Sequence, residues 1–313
     1  MLPKTKPTKE LVILSGKGGT GKTSITASLV HLASQSPTKC VFVDADVDAA
    51  NLALVTGANQ REQHNFISSK LAQIDPEKCN LCNKCYEVCR FDAIEQPADD
   101  HQSYKVIDLL CEGCASCVYS CPEEAIQMFD QQDGEWYFST SPYGPLFHAE
   151  LFPAAENSGK LVTLIRQQAK SFTENEKEKN LIIIDGPPGI GCPAIASSTG
   201  VDLALLVAEP GVSGSHDLMR AYQTLKHFKI PQVICINKSD LYQKGVDEIK
   251  QFAGDSNLQI IGEVPFDTAI PQSMIKAKPV TEFSPNSPAS NAIKRLWMEL
   301  QQILFEEGNQ FEK

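Results

Sequence analysis

Short, uninterrupted apolar runs at residues 11–14, 40–43, 181–184, 204–208 and 233–236 punctuate the chain. A run with no polar alternate marks a strand buried on both faces, the condition of a parallel sheet covered by helices. Stretches with helical periodicity lie between these runs, the first over residues 24–33. Alternation of such strands with amphipathic helices predicts an α/β fold with a doubly wound, mostly parallel sheet. Near the end, Ile293, Leu296, Trp297, Leu300 and Leu304 recur at helical spacing, so a helix with that face on the core is expected.

Over residues 70–130 the long periodic segments give way to short extended pieces at 71–74, 93–96, 104–107 and 125–129. These predict a small α+β domain inserted into the larger one, with 136–139 and 146–151 as strands returning to it. The expected division is therefore 1–69 and 131–313 for the large domain and 70–130 for the insert.

At 313 residues and 42% hydrophobic, the chain can bury a large core. Its net charge of -11 argues against a nucleic-acid partner and against attachment to acidic lipid. The opening MLPKTKPTKE leads into the first strand without an apolar leader, so a cytoplasmic location is expected. The C-terminal helix has only Lys294 and Arg295 as nearby basic residues and an acidic tail, so no stable membrane anchor is expected.

The first strand is followed by Gly16-Lys17-Gly18-Gly19-Thr20-Gly21-Lys22-Thr23-Ser24 and then by a helix. This is G-x4-G-K-T in the strand-loop-helix context that gives it meaning. Glycines let the backbone wrap a polyphosphate, so that N–H groups and the helix N-terminus face its oxygens. Lys22 is placed to reach the β- and γ-phosphates and the Thr23 hydroxyl to bind Mg2+.

Eight of eleven cysteines form two runs, Cys79-Cys82-Cys85-Cys89 and Cys111-Cys114-Cys117-Cys121, offset by 32 residues. Disulfides suit small secreted chains, and zinc sites usually pair two separated C-x2-C units, so neither explains triplets with a trailing fourth cysteine. The C-x2-C-x2-C-x3-C run resembles that of bacterial ferredoxins, where the fourth thiolate reaches the other cluster. That resemblance implies two [4Fe-4S] clusters, one on Cys79, Cys82, Cys85 and Cys121, the other on Cys111, Cys114, Cys117 and Cys89. Pro122 follows the second run as in ferredoxins, whereas Arg90 follows the first, a departure that bears on a cluster's surroundings more than on its ligation.

Lys17, directly after the first glycine, makes the phosphate loop similar to the deviant Walker A motif of the superfamily of septum-site and partition ATPases, Mrp-type iron-sulfur carriers and the nitrogenase iron protein. The chain as a whole resembles MinD-superfamily P-loop ATPases with an inserted ferredoxin domain. The resemblance implies that Lys17 crosses a dimer interface to the partner's nucleotide, in a homodimer or a heterodimer with a related ATPase. Asp44-Ala45-Asp46 with Asn51-Leu52 resembles switch I, which implies Asp46 for orienting the attacking water and Asp44 for the Mg2+ shell. Asp185-Gly186-Pro187-Pro188-Gly189 resembles Walker B with switch II, with Asp185 on a magnesium water and the Gly189 N–H sensing the γ-phosphate. Asn237 is implied to read the base edge and Pro265-Phe266-Asp267 to close the base pocket. Asp240 completes an Asn-Lys-x-Asp sequence that leaves GTP open beside ATP.

Cys40 and Cys235 lie in apolar strands and read as inert core thiols. Cys192 follows Asp185 at the offset of a cluster ligand in the nitrogenase iron protein, and is a candidate interface thiol or ligand, with simple packing as the alternative. Three roles fit the combination: electron transfer gated by ATP, with an unidentified redox partner; assembly or delivery of iron-sulfur or other metallocofactors; and spatial positioning timed by hydrolysis. Electron transfer leads, because two clusters are more than cargo transfer requires. The Mrp-type C-terminal C-x2-C is missing, and the charge counts against membrane positioning.

Overall fold

The computed structural model describes residues 8–97, 103–174, 180–211 and 214–305. The strands are β1 (Lys9–Ser15), β2 (Lys39–Asp44), β3 (Asn59–Ile74), β4 (Ile94–Glu95), β5 (Lys105–Val106), β6 (Ile126–Ser141), β7 (Gly144–Leu151), β8 (Asn180–Pro188), β9 (Leu203–Ala208), β10 (Gln232–Asn237) and β11 (Gln259–Val264). The helices are α1 (Lys22–Ser34), α2 (Leu52–Val55), α3 (Lys84–Val88), α4 (Ser116–Ser120), α5 (Ser158–Glu174), α6 (Cys192–Ser198), α7 (Gly214–His227), α8 (Gln243–Asp255), α9 (Ala269–Ile275), α10 (Val280–Phe283) and α11 (Pro288–Phe305). The chain divides into two compact units: Met1–His64, Trp136–Glu150 and Ser158–Lys313 form one, Asn65–Glu135 and Leu151–Asn157 the other.

Among the described residues the main sheet has the order β11-β10-β9-β1-β8-β2-β7-β6-β3, and neighbours from β11 to β7 are parallel. β1, β2, β8, β9 and β10 are buried almost throughout, which is why they read as continuous apolar runs. Leu11, Ile13, Phe42, Leu181, Ile183 and Leu205 form one core with Ile25 and Leu29 of α1 and with Ile293, Leu296 and Leu300 of α11. Burying each such side chain contributes about 1.5–3 kcal/mol. The alternate residues Val12, Ile182 and Ile184 are equally buried. α5 packs on β2 and β8, α7 on β1 and β9, and α8 on β11. β8 and β9 flank β1, so the chain reverses direction across the sheet there, and loops leaving the strands' carboxyl ends open a crevice. α11 packs its apolar face on β11, as its spacing predicts. Its acidic tail, 306–313, lies outside the described residues, as do residues 1–7. No helix among the described residues is long and apolar enough to cross a membrane.

The smaller unit is built twice over. α3 and α4 begin 32 residues apart, the offset of the cysteine runs. Left-handed backbone recurs at the same offset: Leu81 (φ 63°) with Gly113 (φ 63°), Asn83 (φ 66°) with Ala115 (φ 60°), and Asp92 (φ 51°) with Glu124 (φ 49°). Each non-glycine residue in that region costs about 1–2 kcal/mol, so its recurrence means that each cysteine run imposes the same path. Ala72, Cys85, Ile94, Tyr104 and Ile126 form the unit's small core, and β4 pairs antiparallel with β5.

Three elements differ from the sequence expectation, the first being β3, which begins at Asn59 and not near residue 71. The pieces at 125–129 and 136–139 belong to one strand, β6, although Asp130-Gln131-Gln132-Asp133-Gly134-Glu135 between them has turn composition. Asp133 is buried and accepts hydrogen bonds from Ser68 N (2.9 Å), Ser68 Oγ (2.6 Å) and Ser69 Oγ (2.6 Å), which carries the strand through the polar stretch. The Asp133 carbonyl also accepts the Phe152 N–H at 2.8 Å, drawing Leu151–Asn157 into the smaller unit.

Candidate nucleotide site and cysteine pockets

The phosphate loop joins β1 to α1 at the carboxyl end of β1. Gly19 (φ 79°) and Gly21 (φ 88°) are left-handed. A Cβ on Gly21 would lie 2.2 Å from Asn237 Nδ2, whereas one on Gly18 or Gly19 would meet nothing within 4 Å. Gly21 therefore seats the loop on the protein while Gly18 and Gly19 face open space. No side chain caps the N-terminus of α1, which leaves its first N–H groups available to an anion.

Lys22 Nζ lies 2.8 Å from Asp185 Oδ1, Thr23 Oγ1 donates to Asp185 Oδ2 at 2.7 Å, and Thr26 Oγ1 donates to Asp185 Oδ1 at 2.8 Å. Thr26, one helical turn after Lys22, is a site residue the motif did not single out; its helical spacing is the signal that could have found it. Asp44 stands opposite Asp185 in the β2/β8 register. Its oxygens accept Leu52 N–H at 2.8 Å and Asp46 N–H at 3.2 Å, so this carboxylate orders the 46–52 loop. Burial, reinforced by neighbouring Asp185, raises the Asp44 pKa to about 7. Burial also raises that of Asp46, against the pull of Lys22.

Lys17 Nζ is 3.9 Å from Glu209 Oε2. Glu209 Oε1 takes Lys238 Nζ at 2.8 Å, and Lys238 also donates to the Gly19 carbonyl at 3.0 Å. Glu209 directly follows β9 and belongs to none of the motifs. Gly189 N–H donates to the Ser15 carbonyl at 2.9 Å, tying the end of β8 to the start of the phosphate loop. Asn237 Nδ2 donates to the Thr20 carbonyl at 2.7 Å. Asn237 Oδ1 and Thr20 Oγ1 are buried without a hydrogen-bond partner, two orphaned polar atoms beside the loop. Asp240 Oδ1 accepts Phe266 N–H at 2.6 Å. Asp267 accepts Ala269 N–H at 2.8 Å and Ala289 N–H at 3.1 Å, so in this structure it caps α9 and α11. Pro265 is half-buried directly after β11, and Ser24 Oγ contacts Met274 Sδ at 3.5 Å. Lys22, Thr23, Asp44, Asp46 and Asp185 are thus gathered in one crevice, while Asn237, Asp240 and Asp267 hold loops at its rim.

In the smaller unit, Cys79, Cys82, Cys85 and Cys121 line one pocket with Ile74, Tyr104 and Ile126. Cys89, Cys111, Cys114 and Cys117 line another with Phe91, Ile94 and Val106. Each foursome takes three thiols from one run and the fourth from the other. Among the described residues, no three His, Cys, Asp or Glu side chains converge tightly enough to hold a metal ion. A four-iron cluster asks for a wider arrangement, because each thiolate binds a different iron. Apolar walls and soft donors fit that group. Burial raises the thiol pKa of Cys85 to about 11 and also raises that of Cys117. Cys40 and Cys235 are buried with thiols raised to about 12 by burial, as inert core residues should be. Cys192 is exposed at the start of α6.

A sequence profile described as the CobQ/CobB/MinD/ParA nucleotide binding domain matches residues 11–280. An uncharacterized protein of Methanocaldococcus jannaschii is 34% identical over 295 residues, 94% of this chain and 97% of its own length. The septum site-determining protein MinD of Bacillus subtilis is 24% identical, covering 91% of this chain and 86% of its own. Among solved structures, the septum site-determining protein MinD of Pyrococcus horikoshii, complexed with Mg-ADP, superposes with a TM-score of 0.58 at 18% identity, over 95% of this chain and 97% of that one. The MinC:MinD cell division protein complex of Aquifex aeolicus gives 0.57 at 18% identity, over 98% and 99%. These two likenesses are of fold.

Proposed function

Because the chain belongs to the CobQ/CobB/MinD/ParA nucleotide-binding family, we propose that it is an ATP-hydrolysing iron-sulfur protein whose nucleotide-driven dimer switch is coupled to electron transfer through two [4Fe-4S] clusters. The observation that carries this reading is the sorting of eight cysteines into two pockets of four, on the same chain as the Lys22–Asp185 crevice. A bound cluster would supply one-electron storage at low potential.

In this reading the crevice residues divide the work, a division that their placement supports. Lys22, now paired with Asp185, turns to the β- and γ-phosphates when nucleotide enters. Thr23 and Asp185, with Asp44 behind them, are the residues that would hold Mg2+. Asp46 orients the attacking water, and Lys17 leaves Glu209 to meet a partner's nucleotide. ATP is the favoured nucleotide, since one oxygen of Asp240 is already committed to Phe266. A positioning role like that named for MinD has the 24% identity to the Bacillus subtilis protein in its favour. Against it, α11 turns its apolar face to β11 and offers no free face to a membrane.

Anaerobic reconstitution tests the reading: about eight iron and eight sulfide per chain are expected, with ATP hydrolysis by the same preparation. Stoichiometric zinc without visible absorbance, or a loaded chain that neither binds nor hydrolyses ATP, would overturn it.

A further inference from the structure

The internal repeat of the smaller unit offers a comparison within one molecule. Residues 32 apart occupy equivalent backbone positions, as the matched left-handed residues and helices establish. At three exposed positions around the first cysteine run the chain has Glu77, Lys78 and Glu87. At the equivalent positions around the second run it has Leu109, Leu110 and Tyr119, exposed by 78%, 45% and 89%. The repeat itself accepts charged side chains there, so the backbone does not require the apolar ones. Large exposed apolar side chains grouped on a polar surface mark contact sites. These three flank Cys111, Cys114 and Cys117.

Charge identifies the partner's chemistry. The smaller unit carries fifteen Asp and Glu against five Lys and Arg, a balance of -10 in a chain of -11. The larger unit is therefore nearly neutral, and the acidity is concentrated on the unit that carries the cysteine pockets. Asp108 and Glu112, both exposed, stand directly beside the leucines and the second run. An apolar centre within an acidic surround complements a protein that presents an apolar contact within a basic rim.

The geometry points to Leu109, Leu110 and Tyr119 as the docking surface for a positively charged redox protein, at the pocket of Cys89, Cys111, Cys114 and Cys117. This deepens the electron-transfer reading and rests on it. Around the first run the exposed apolar side chains are Leu81 and Tyr86, at 47% and 43%, against 78% and 89% for Leu109 and Tyr119, so exchange with the partner is assigned to the second.

The test exchanges the two halves' surface residues. The triple variant Leu109→Glu, Leu110→Lys, Tyr119→Glu gives the second run the side chains that the first already carries. The probe is ferric cytochrome c, a basic haem protein, and the readout is its Kd for the full anaerobically reconstituted chain at low ionic strength. The variant adds one net negative charge, so attraction by charge alone would tighten binding. Docking on the apolar patch instead requires the variant to weaken binding by about tenfold, which is about 1.4 kcal/mol. Leu81→Asn, a charge-neutral exchange of an exposed apolar side chain at the first run, should not weaken it. Tyr119→Ser alone should weaken it in the same direction and guards against misfolding of the triple variant. Unchanged or tighter binding by the triple variant, or equal weakening by the first-run exchange, would overturn the assignment. Iron and sulfide content, measured on the same samples, reports separately on the cluster reading, because Kd can be measured whether or not the chain carries iron.

Discussion

The Lys22 ammonium lies 2.8 Å from Oδ1 of Asp185, and both side chains are buried. Each is the other's charge partner until a polyphosphate arrives, so Lys22→Ala removes two things at once. Leaving the Asp185 carboxylate buried and unpaired should cost about 3 kcal/mol, read as a lower midpoint in denaturant melts of the nucleotide-free protein. Loss of the phosphate contact should weaken ATP binding on the order of a hundredfold in equilibrium titrations. Unchanged stability would mean that Thr23 and Thr26 alone satisfy Asp185.

His148 carries a pH dependence. It is partly buried on β7, stacks on Tyr137 at 4.9 Å and shares a 2.8 Å hydrogen bond between Nε2 and Ser139 Oγ. Burial lowers its pKa from 6.5 to about 4. Between those values the unfolded chain binds the proton and the folded one does not, so stability is full above about pH 6.5 and falls as pH drops towards 4. From pH 7 to pH 5 this one group should account for about 2 kcal/mol. His148→Gln, which can keep the hydrogen bond to Ser139, should flatten that part of the profile in urea melts at the two pH values. An equal acid loss in the variant would place the titration elsewhere.

The four-and-four sorting of cysteines makes a crossed expectation. Cys121→Ala belongs with Cys79, Cys82 and Cys85, and Cys89→Ala with Cys111, Cys114 and Cys117. Each variant should fall to about four iron per chain, and the double variant should hold almost none. Loss of all iron in either single variant would show that the two pockets do not load independently.

The strand interiors were legible because residues 11–14, 181–184 and 233–236 need both faces apolar, and that requirement is written locally. The phosphate loop was legible for a similar reason: the turn at Gly21 and the reach of Lys22 are short-range demands. The first half of β3 was not. Gln60, Arg61, Glu62 and Gln63 are exposed, so no apolar period marks them, and only pairing with β6 makes them a strand. Asp133 was hidden too, because a buried aspartate in a polar stretch is recognisable only once Ser68 and Ser69, more than sixty residues earlier, are beside it. Glu209 and Asp267 show the same limit. One gathers Lys17 and Lys238, the other caps α9 close by and also α11, and the Lys17 and Ala289 contacts depend on partners distant in sequence.

Base choice turns on Asp240. With Oδ1 accepting the Phe266 N–H at 2.6 Å, the carboxylate is turned to the loop after β11, and binding both N–H groups of guanine would compete with that bond. Competition at equal concentrations should favour ATP over GTP by about tenfold, or about 1.4 kcal/mol. A preference for GTP would require Asp240 to release the loop that carries Phe266.

Coupling between nucleotide and clusters is the central claim, and it separates a redox switch from a ferredoxin joined to an ATPase. A nucleotide that favours one state of the chain must, by linkage, be favoured in turn by the cluster oxidation state that prefers it. The direct measurement is a redox titration of the reconstituted protein, followed by electron paramagnetic resonance, with MgADP and with a non-hydrolysable MgATP analogue. At least one midpoint potential should differ between the two by about 60 mV, equivalent to about 1.4 kcal/mol for one electron. Superimposable titrations in both nucleotide states would contradict the coupling and leave the clusters as structural elements or cargo.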